Sequence, residues 1–121
     1  MTKRILVIED QEDNRRILRD LLSSVGYELI EAENGEDGVA AAAAERPDLI
    51  LMDIQLPLLD GYEATRRIKA QSALSAIPII AVTSYALSGD EDKARAAGCE
   101  GYVTKPFSPR ELLAKIREYL P

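Results

Sequence analysis

Asp48-Leu-Ile-Leu-Met-Asp-Ile-Gln-Leu-Pro57 is the stretch on which the fold turns. An aliphatic run this short and unalternating, bounded by turn residues, reads as a strand buried on both faces, the form that parallel sheets require. Arg4-Ile-Leu-Val-Ile8 and Ile79-Ile-Ala-Val-Thr83 repeat it, while the mixed Tyr27-Glu-Leu-Ile-Glu31 suggests an edge strand and Gly101 to Thr104 supplies a fifth. Two of these runs lead into acid: Glu9-Asp10 follows the first and Asp53 closes Asp48 to Met52. A carboxylate at the end of a buried strand loses hydration unless something pairs with it, so these three acids mark a site.

Amphipathic helical patterns separate the strands. Ile17, Leu18, Leu21, Leu22 and Val25 recur at helical spacing with Gly26 as C-cap, predicting a helix over Glu12 to Val25. The alanine run after Asn34-Gly35 continues to Glu45 and stops before Pro47, and its small side chains permit close packing on a sheet. Tyr62 to Ala70 is a third helix, and Ser88-Gly-Asp-Glu91 and Ser108-Pro-Arg-Glu111 have the capping-box form that starts a fourth and a fifth. Leu112, Leu113, Ile116 and Leu120 give the last its buried stripe. Five βα units imply an α/β fold with a doubly wound parallel sheet and helices on both faces. Ligands of such sheets bind beyond the carboxyl ends of the strands, where Glu9, Asp10, Asp53, Thr83 and Lys105 all fall.

At 121 residues and 46% hydrophobic content, positions 1–121 read as one domain with one core. A net charge of −6, from 21 acidic and 15 basic residues, argues against direct nucleic-acid binding, which needs a concentrated basic face. One cysteine and no histidine rule out an internal disulfide and the usual zinc ligand sets. No apolar run reaches membrane-spanning length or the form of a signal peptide, so no membrane insertion is expected and the chain reads as cytoplasmic.

Three carboxylates in one crevice must protonate, find cations or bind a metal. An oxygen-only site with room for water suits Mg²⁺, for which Mn²⁺ substitutes. Asp10 and Asp53 are the expected direct ligands, the Gln55 backbone carbonyl a third, and Glu9 a ligand through water. Lys105 brings positive charge, Thr83 a hydroxyl, and Gly98-Cys-Glu-Gly101 is expected to leave backbone room nearby. Such a cradle suits a phosphoryl group, and a carboxylate can be its nucleophile; Asp53 is placed for that.

Four stretches, Ile5-Leu-Val-Ile-Glu-Asp10, residues 48–57 with Asp60-Gly61 just after, Pro78-Ile-Ile-Ala-Val-Thr83, and Gly98-Cys-Glu-Gly-Tyr-Val-Thr-Lys-Pro106, resemble in order and separation the CheY-like receiver domains of two-component response regulators. The likeness covers essentially the whole chain and extends to stand-alone regulators of the DivK type. It implies a flavodoxin-like (βα)5 fold with strand order 2-1-3-4-5, and a phosphorelay switch whose Asp53 accepts phosphate from a histidine kinase or histidine-phosphotransfer protein. It further implies Thr83 and Tyr102 as the switch pair, Lys105 as the phosphoryl contact, and a cis Lys105-Pro106 bond. Phosphodonors would dock on Asn14, Arg15, Leu18, Pro106 and Phe107. A downstream protein target would read Leu87, Lys93, Tyr102 and Tyr119. Gln55 and Tyr85 would tune the acyl phosphate lifetime, and the protein would be a monomer or weak dimer that catalyses only its own phosphorylation and dephosphorylation. Glu9 departs from the family's usual aspartate, keeping the charge on a longer arm.

Plainer readings accompany these. Asp60 is a helix cap, Cys99 a small core residue, and Arg15, Arg16, Arg19 and the Arg66-Arg67-Lys69 group solvated helix faces. A Mg²⁺-dependent phosphatase acting on external substrates would want a second acid where Gln55 stands, and a flavin site would be repelled by Glu9-Asp10-Gln11-Glu12. The alternatives within the family are a receiver that binds partners without phosphorylation and a module excised from a larger regulator or hybrid kinase. With Pro121 just beyond the fifth helix, no output domain is expected.

Overall fold

The structure, a computed structural model, describes residues 2–84 and 89–121. Strands and helices alternate as β1 (Arg4–Ile8), α1 (Glu12–Ser24), β2 (Glu28–Ala32), α2 (Gly35–Glu45), β3 (Leu49–Asp53), α3 (Gly61–Lys69), β4 (Ile79–Thr83), α4 (Asp90–Ala97), β5 (Gly101–Thr104) and α5 (Pro109–Tyr119). Every strand pair is parallel and the sheet order is β2-β1-β3-β4-β5, the expected order with β2 at an edge.

Alternation along the central strands sorts their side chains into two cores. Leu6, Ile8, Ile50, Met52, Ile79 and Ala81 pack with Ala42 of α2, Ala64 and Ile68 of α3 and Ala94 of α4. Ile5, Val7, Leu49, Leu51, Ile80 and Val103 pack with Leu18 and Leu22 of α1 and Leu112 and Ile116 of α5. The sheet is therefore covered on both sides, which is why β1, β3 and β4 carry no polar alternation. The small residues of α2 serve close approach as expected: a Cβ on Gly38 would meet Ile8 Cδ1 at 2.5 Å.

Local chemistry sets the element ends. Asn34, Asp60 and Ser108 accept from the backbone N–H groups of Asp37, Glu63 and Glu111 at 2.8, 2.9 and 3.1 Å. Asp60 is thus the cap the sequence suggested. The fourth helix differs, because its N-cap is Gly89, at φ 90° and with no side-chain capping bond; Ser88, expected as the cap, lies outside the described residues with Tyr85 and Leu87.

Several boundaries also differ. Asp48 stands before β3, its carboxylate accepting Arg4 N–H at 2.8 Å, and Asp53 is the strand's last residue. Strand β2 begins at Glu28, α1 ends at Ser24 and α3 begins at Gly61. Ile17 and Val25, assigned to the buried stripe of α1, are 60% and 40% exposed. Gly98 and Gly101 lie at the amino end of β5, away from Lys105, so they open no space at the site: Gly98 caps α4 at φ 117° against Lys69. The Lys105-Pro106 bond is cis.

Candidate functional site

The sheet order reverses between β1 and β3, and the acids meet there. Glu9 and Asp10 leave β1 directly after Ile8, which is in register with Met52, the neighbour of Asp53. Glu9 and Asp53 are buried and Asp10 is exposed. One oxygen from each lies within 4.8 Å of those of the other two. Lys105, just beyond β5, places Nζ 2.9 Å from Glu9 Oε1 and 3.6 Å from Asp53 Oδ2. Backbone N–H groups assist: Gln11 donates to Glu9 Oε2 at 3.1 Å and Gln55 to Asp53 Oδ1 at 3.0 Å.

The electrostatics follow from burial and the Lys105 ammonium, the one cation against Glu9 and Asp53 among the described residues. Burial, with the Glu9 carboxylate beside it, pushes Asp53 up to about 7. Burial would raise Glu9 too, but the Lys105 ammonium and the Gln11 N–H outweigh it and hold that carboxyl below its usual range. Asp10 is pushed up by desolvation and by Glu9. Lys105 is raised: desolvation opposes its charge, and Glu9 and Asp53 more than offset it. One ammonium against three carboxylates leaves an unbalanced, oxygen-only donor set. Its composition and convergence fit a hard divalent cation.

The hydroxyl end of the site is built by β4. Thr83 is buried, and Gln55 Nε2–H donates to its Oγ1 while Gln55 Oε1 accepts Ser84 N–H at 3.0 Å. Lys105 N–H donates to Thr83 O at 2.7 Å, coupling the lysine loop to the same strand end. A polar cleft of about 280 Å³ opens over these groups, lined by Glu9, Asp10, Gln11, Asn14, Asp53, Gln55, Ser84 and Lys105. Beside it lies a more apolar cavity of about 290 Å³ between α1 and the β5–α5 loop, bordered by Asn14, Ile17, Leu18, Pro106 and Phe107.

Arg15 corrects the sequence reading. It is not on a solvated face and is not free for docking: it is 6% exposed, and its Nη1–H donates to Glu9 O at 2.7 Å. Its guanidinium also meets Glu12 at 2.6 Å and Glu31 and Glu33 at 3.4 Å. The cue was present, because Arg15, Leu18 and Leu22 share one helical stripe from which Ile17 is displaced. Ile17 is the exposed apolar rim residue that the sequence reading misplaced. Lys69 is likewise no solvated charge, donating to Ser75 O, Ile77 O and Glu100 Oε2. Arg16, Arg66 and Arg67 are exposed as expected.

Of the residues expected to report the switch, Tyr102 is half-buried against the core that contains Ala81 and Ala94. Lys93 is exposed on α4, and the Tyr119 hydroxyl donates to Glu100 O at 2.7 Å. Cys99 is a core residue, 4% exposed, its thiol pushed up to about 11 by burial.

The response regulator receiver domain model matches residues 5–117. The polar-differentiation response regulator DivK of Brucella anthropi is 45% identical over 120 residues, covering 99% of this chain and 98% of that protein; the Brucella ovis DivK is 44% identical with the same coverage. Among solved structures, the receiver domain of the sensor histidine kinase PA1611 from Pseudomonas aeruginosa superposes with a TM-score of 0.92 at 39% identity. It covers 99% of this chain and 98% of that one, and holds a magnesium ion coordinated in its active site cleft. The Vibrio cholerae chemotaxis protein CheY4 gives 0.93 at 27% identity, covering 98% and 99%. With the acids, lysine and threonine gathered at the strand ends and this likeness running the length of the chain, the protein belongs to the response regulator receiver family, the phosphorylation-activated switches of two-component signalling.

Proposed function

We propose that Asp53 is the phosphoacceptor of this receiver. The observation that carries the reading is its buried carboxylate at the end of β3, 3.6 Å from Lys105 Nζ and grouped with Glu9 and Asp10. An Asp53 oxygen attacks the phosphorus of a phosphohistidine on a histidine kinase or histidine-phosphotransfer protein. The P–O bond forms as the N–P bond breaks, and the electron pair leaves on the imidazole nitrogen, which takes up a proton. Lys105 leaves its contact with Glu9 to neutralise a phosphoryl oxygen, and Thr83 donates its hydroxyl to another. Asp10, Asp53 and the Gln55 carbonyl, with Glu9 through water, would hold Mg²⁺ or Mn²⁺, which supplies further neutralisation of charge on the phosphoryl oxygens. In dephosphorylation a water oxygen attacks the same phosphorus, the Asp53 O–P bond breaks with its electron pair returning to the carboxylate, and inorganic phosphate leaves, so the protein catalyses only its own phosphorylation and dephosphorylation.

The donor docks over the apolar cavity, on Asn14, Ile17, Pro106 and Phe107, whose exposed or partly exposed rim adjoins the acidic cleft, with the buried Leu18 beneath them in the cavity wall. The downstream target reads the face of α4, β5 and α5 that carries Lys93, Tyr102 and Tyr119. We place the switch in the cytoplasm as a single module over residues 1–121.

Intact mass after incubation with Mg²⁺ and phosphoramidate tests the assignment. Gain of one phosphoryl group that needs the metal and is lost in Asp53→Asn is the expected result. No adduct in the native protein, with beryllofluoride binding also absent, would favour a receiver that binds partners without phosphorylation.

A further inference from the structure

The Gln55 side chain fastens two loops that the phosphoacceptor reading leaves separate. Gln55 stands two residues beyond Asp53, whereas Thr83 ends β4 and Ser84 follows it; Val82 is in register with Asp53. One carboxamide spans the gap, its N–H on Thr83 Oγ1 and its oxygen on Ser84 N–H at 3.0 Å. Only a side chain with a donor and an acceptor can serve a hydroxyl oxygen and a backbone N–H together. Gln55 and Ser84 also line the polar cleft that holds Asp53 and Lys105.

A phosphoryl group on Asp53 would bring acceptor oxygens carrying close to two negative charges into this cleft. Ser84 has one backbone N–H, held by the Gln55 oxygen, and the Thr83 hydroxyl is held in place by the Gln55 amide. A charged phosphoryl oxygen is a stronger acceptor than a neutral carboxamide. We propose that the Gln55 carboxamide is the off-state clasp of this switch, holding Thr83 and Ser84 in the positions a phosphoryl group on Asp53 must draw them from, so that activation replaces the carboxamide oxygen on Ser84 N–H with a phosphoryl oxygen and pulls Thr83 Oγ1 away from the Gln55 N–H. This deepens, and rests on, the reading of Asp53 as the phosphoacceptor. It makes Gln55 a positioning residue that acts through Thr83 and Ser84, in addition to its backbone role beside the metal.

The clasp predicts that the native amide competes with the phosphoryl analogue. Beryllofluoride titrations of Mg²⁺-loaded protein, followed by amide NMR, compare the native chain, Gln55→Met, Thr83→Val and the double variant. Losing neutral hydrogen bonds of ordinary strength should lower the half-saturating concentration in Gln55→Met by about fivefold. In metal-free protein the Ser84 amide should exchange with deuterium about fivefold faster in the same variant. The gain from Gln55→Met should fall to less than half in the Thr83→Val background, because the two residues act as a pair. Gln55→Ala removes the same carboxamide with less bulk and must give changes of the same sign.

Equal or weaker beryllofluoride binding in both Gln55 variants, unchanged Ser84 exchange, or an undiminished gain without the Thr83 hydroxyl would each overturn the clasp. A native protein that takes no beryllofluoride would instead overturn the phosphoacceptor reading itself.

Discussion

Asp53 is the residue at which burial and function conflict most. Its folded-state titration near 7 lies far above that of an exposed aspartate, so the folded protein keeps a proton that the unfolded chain has already released. The stability this gives the metal-free protein is full below about pH 4 and is lost as pH rises through 7. At pH 8 the ionised carboxylate is a cost, and Asp53→Asn removes it. After discounting for water in the cleft, urea unfolding of metal-free protein should show the variant more stable by about 2 kcal/mol at pH 8. At pH 5 the difference should be small, and an equal difference at both pH values would contradict the assignment. Leu58 shows a different tension: fully exposed with φ 67°, it lies in the left-handed region in the loop between β3 and α3. Its apolar character gives no hint of that, since exposure there follows from the turn.

At the scale of elements, the site depends on two joints. Gly61 opens α3 where the helix comes back against β3, and a Cβ there would press on Asp53 O and Ile54 Cα. Both are backbone atoms of the segment that carries Asp53, so neither can swing aside as a side chain would. Gly61→Ala should therefore destabilise by about 2 kcal/mol, read as a lower urea midpoint, and slow phosphorylation by phosphoramidate. A variant with native midpoint and native rate would show the joint to be slack. Arg15 is the second joint, tying α1 to the β1–α1 loop through Glu9 O and to β2 through Glu31. Arg15→Met keeps the length of the stem but strands the Glu9 carbonyl and removes the countercharge. A loss of about 2 kcal/mol in equilibrium unfolding, set by the unsatisfied Glu9 carbonyl, is expected, against nearly none for the exposed Arg16→Met.

For the molecule as a whole, the strand-end acids link folding to metal. Three carboxylates gathered by two strands exist as a set only in the folded state, so a bound cation stabilises that state alone. At a Mg²⁺ concentration 100 times its Kd, the thermal unfolding of the native protein should shift by the equivalent of about 2.7 kcal/mol. Asp10→Asn should lose most of that shift while keeping the metal-free stability within about 0.5 kcal/mol, as befits an exposed side chain. A full shift in the variant would remove Asp10 from the ligand set. The two cores make this coupling rigid, because β1, β3 and β4 are packed on both faces and their ends cannot drift independently.

What the sequence by itself determined is what depends on local pattern. The continuous aliphatic runs of β1, β3 and β4 require burial on both faces, Asp60 and Ser108 announce the helices they cap, and acids at strand ends mark the carboxyl edge of the sheet. Order along the chain also carried the family likeness, and with it Asp10, Asp53, Thr83 and Lys105. The tertiary structure alone decided which groups touch. Arg15 reads as one charge among several on α1 until β2 brings Glu31 and Glu33 against it, and Ile17 reads as core until the β5–α5 loop leaves it on a cavity rim. The bond from Gln55 to Thr83 joins residues 28 positions apart, and no periodicity encodes it. Local sequence fixes backbone conformation and the face a side chain takes, whereas partners and titration depend on which strands lie side by side.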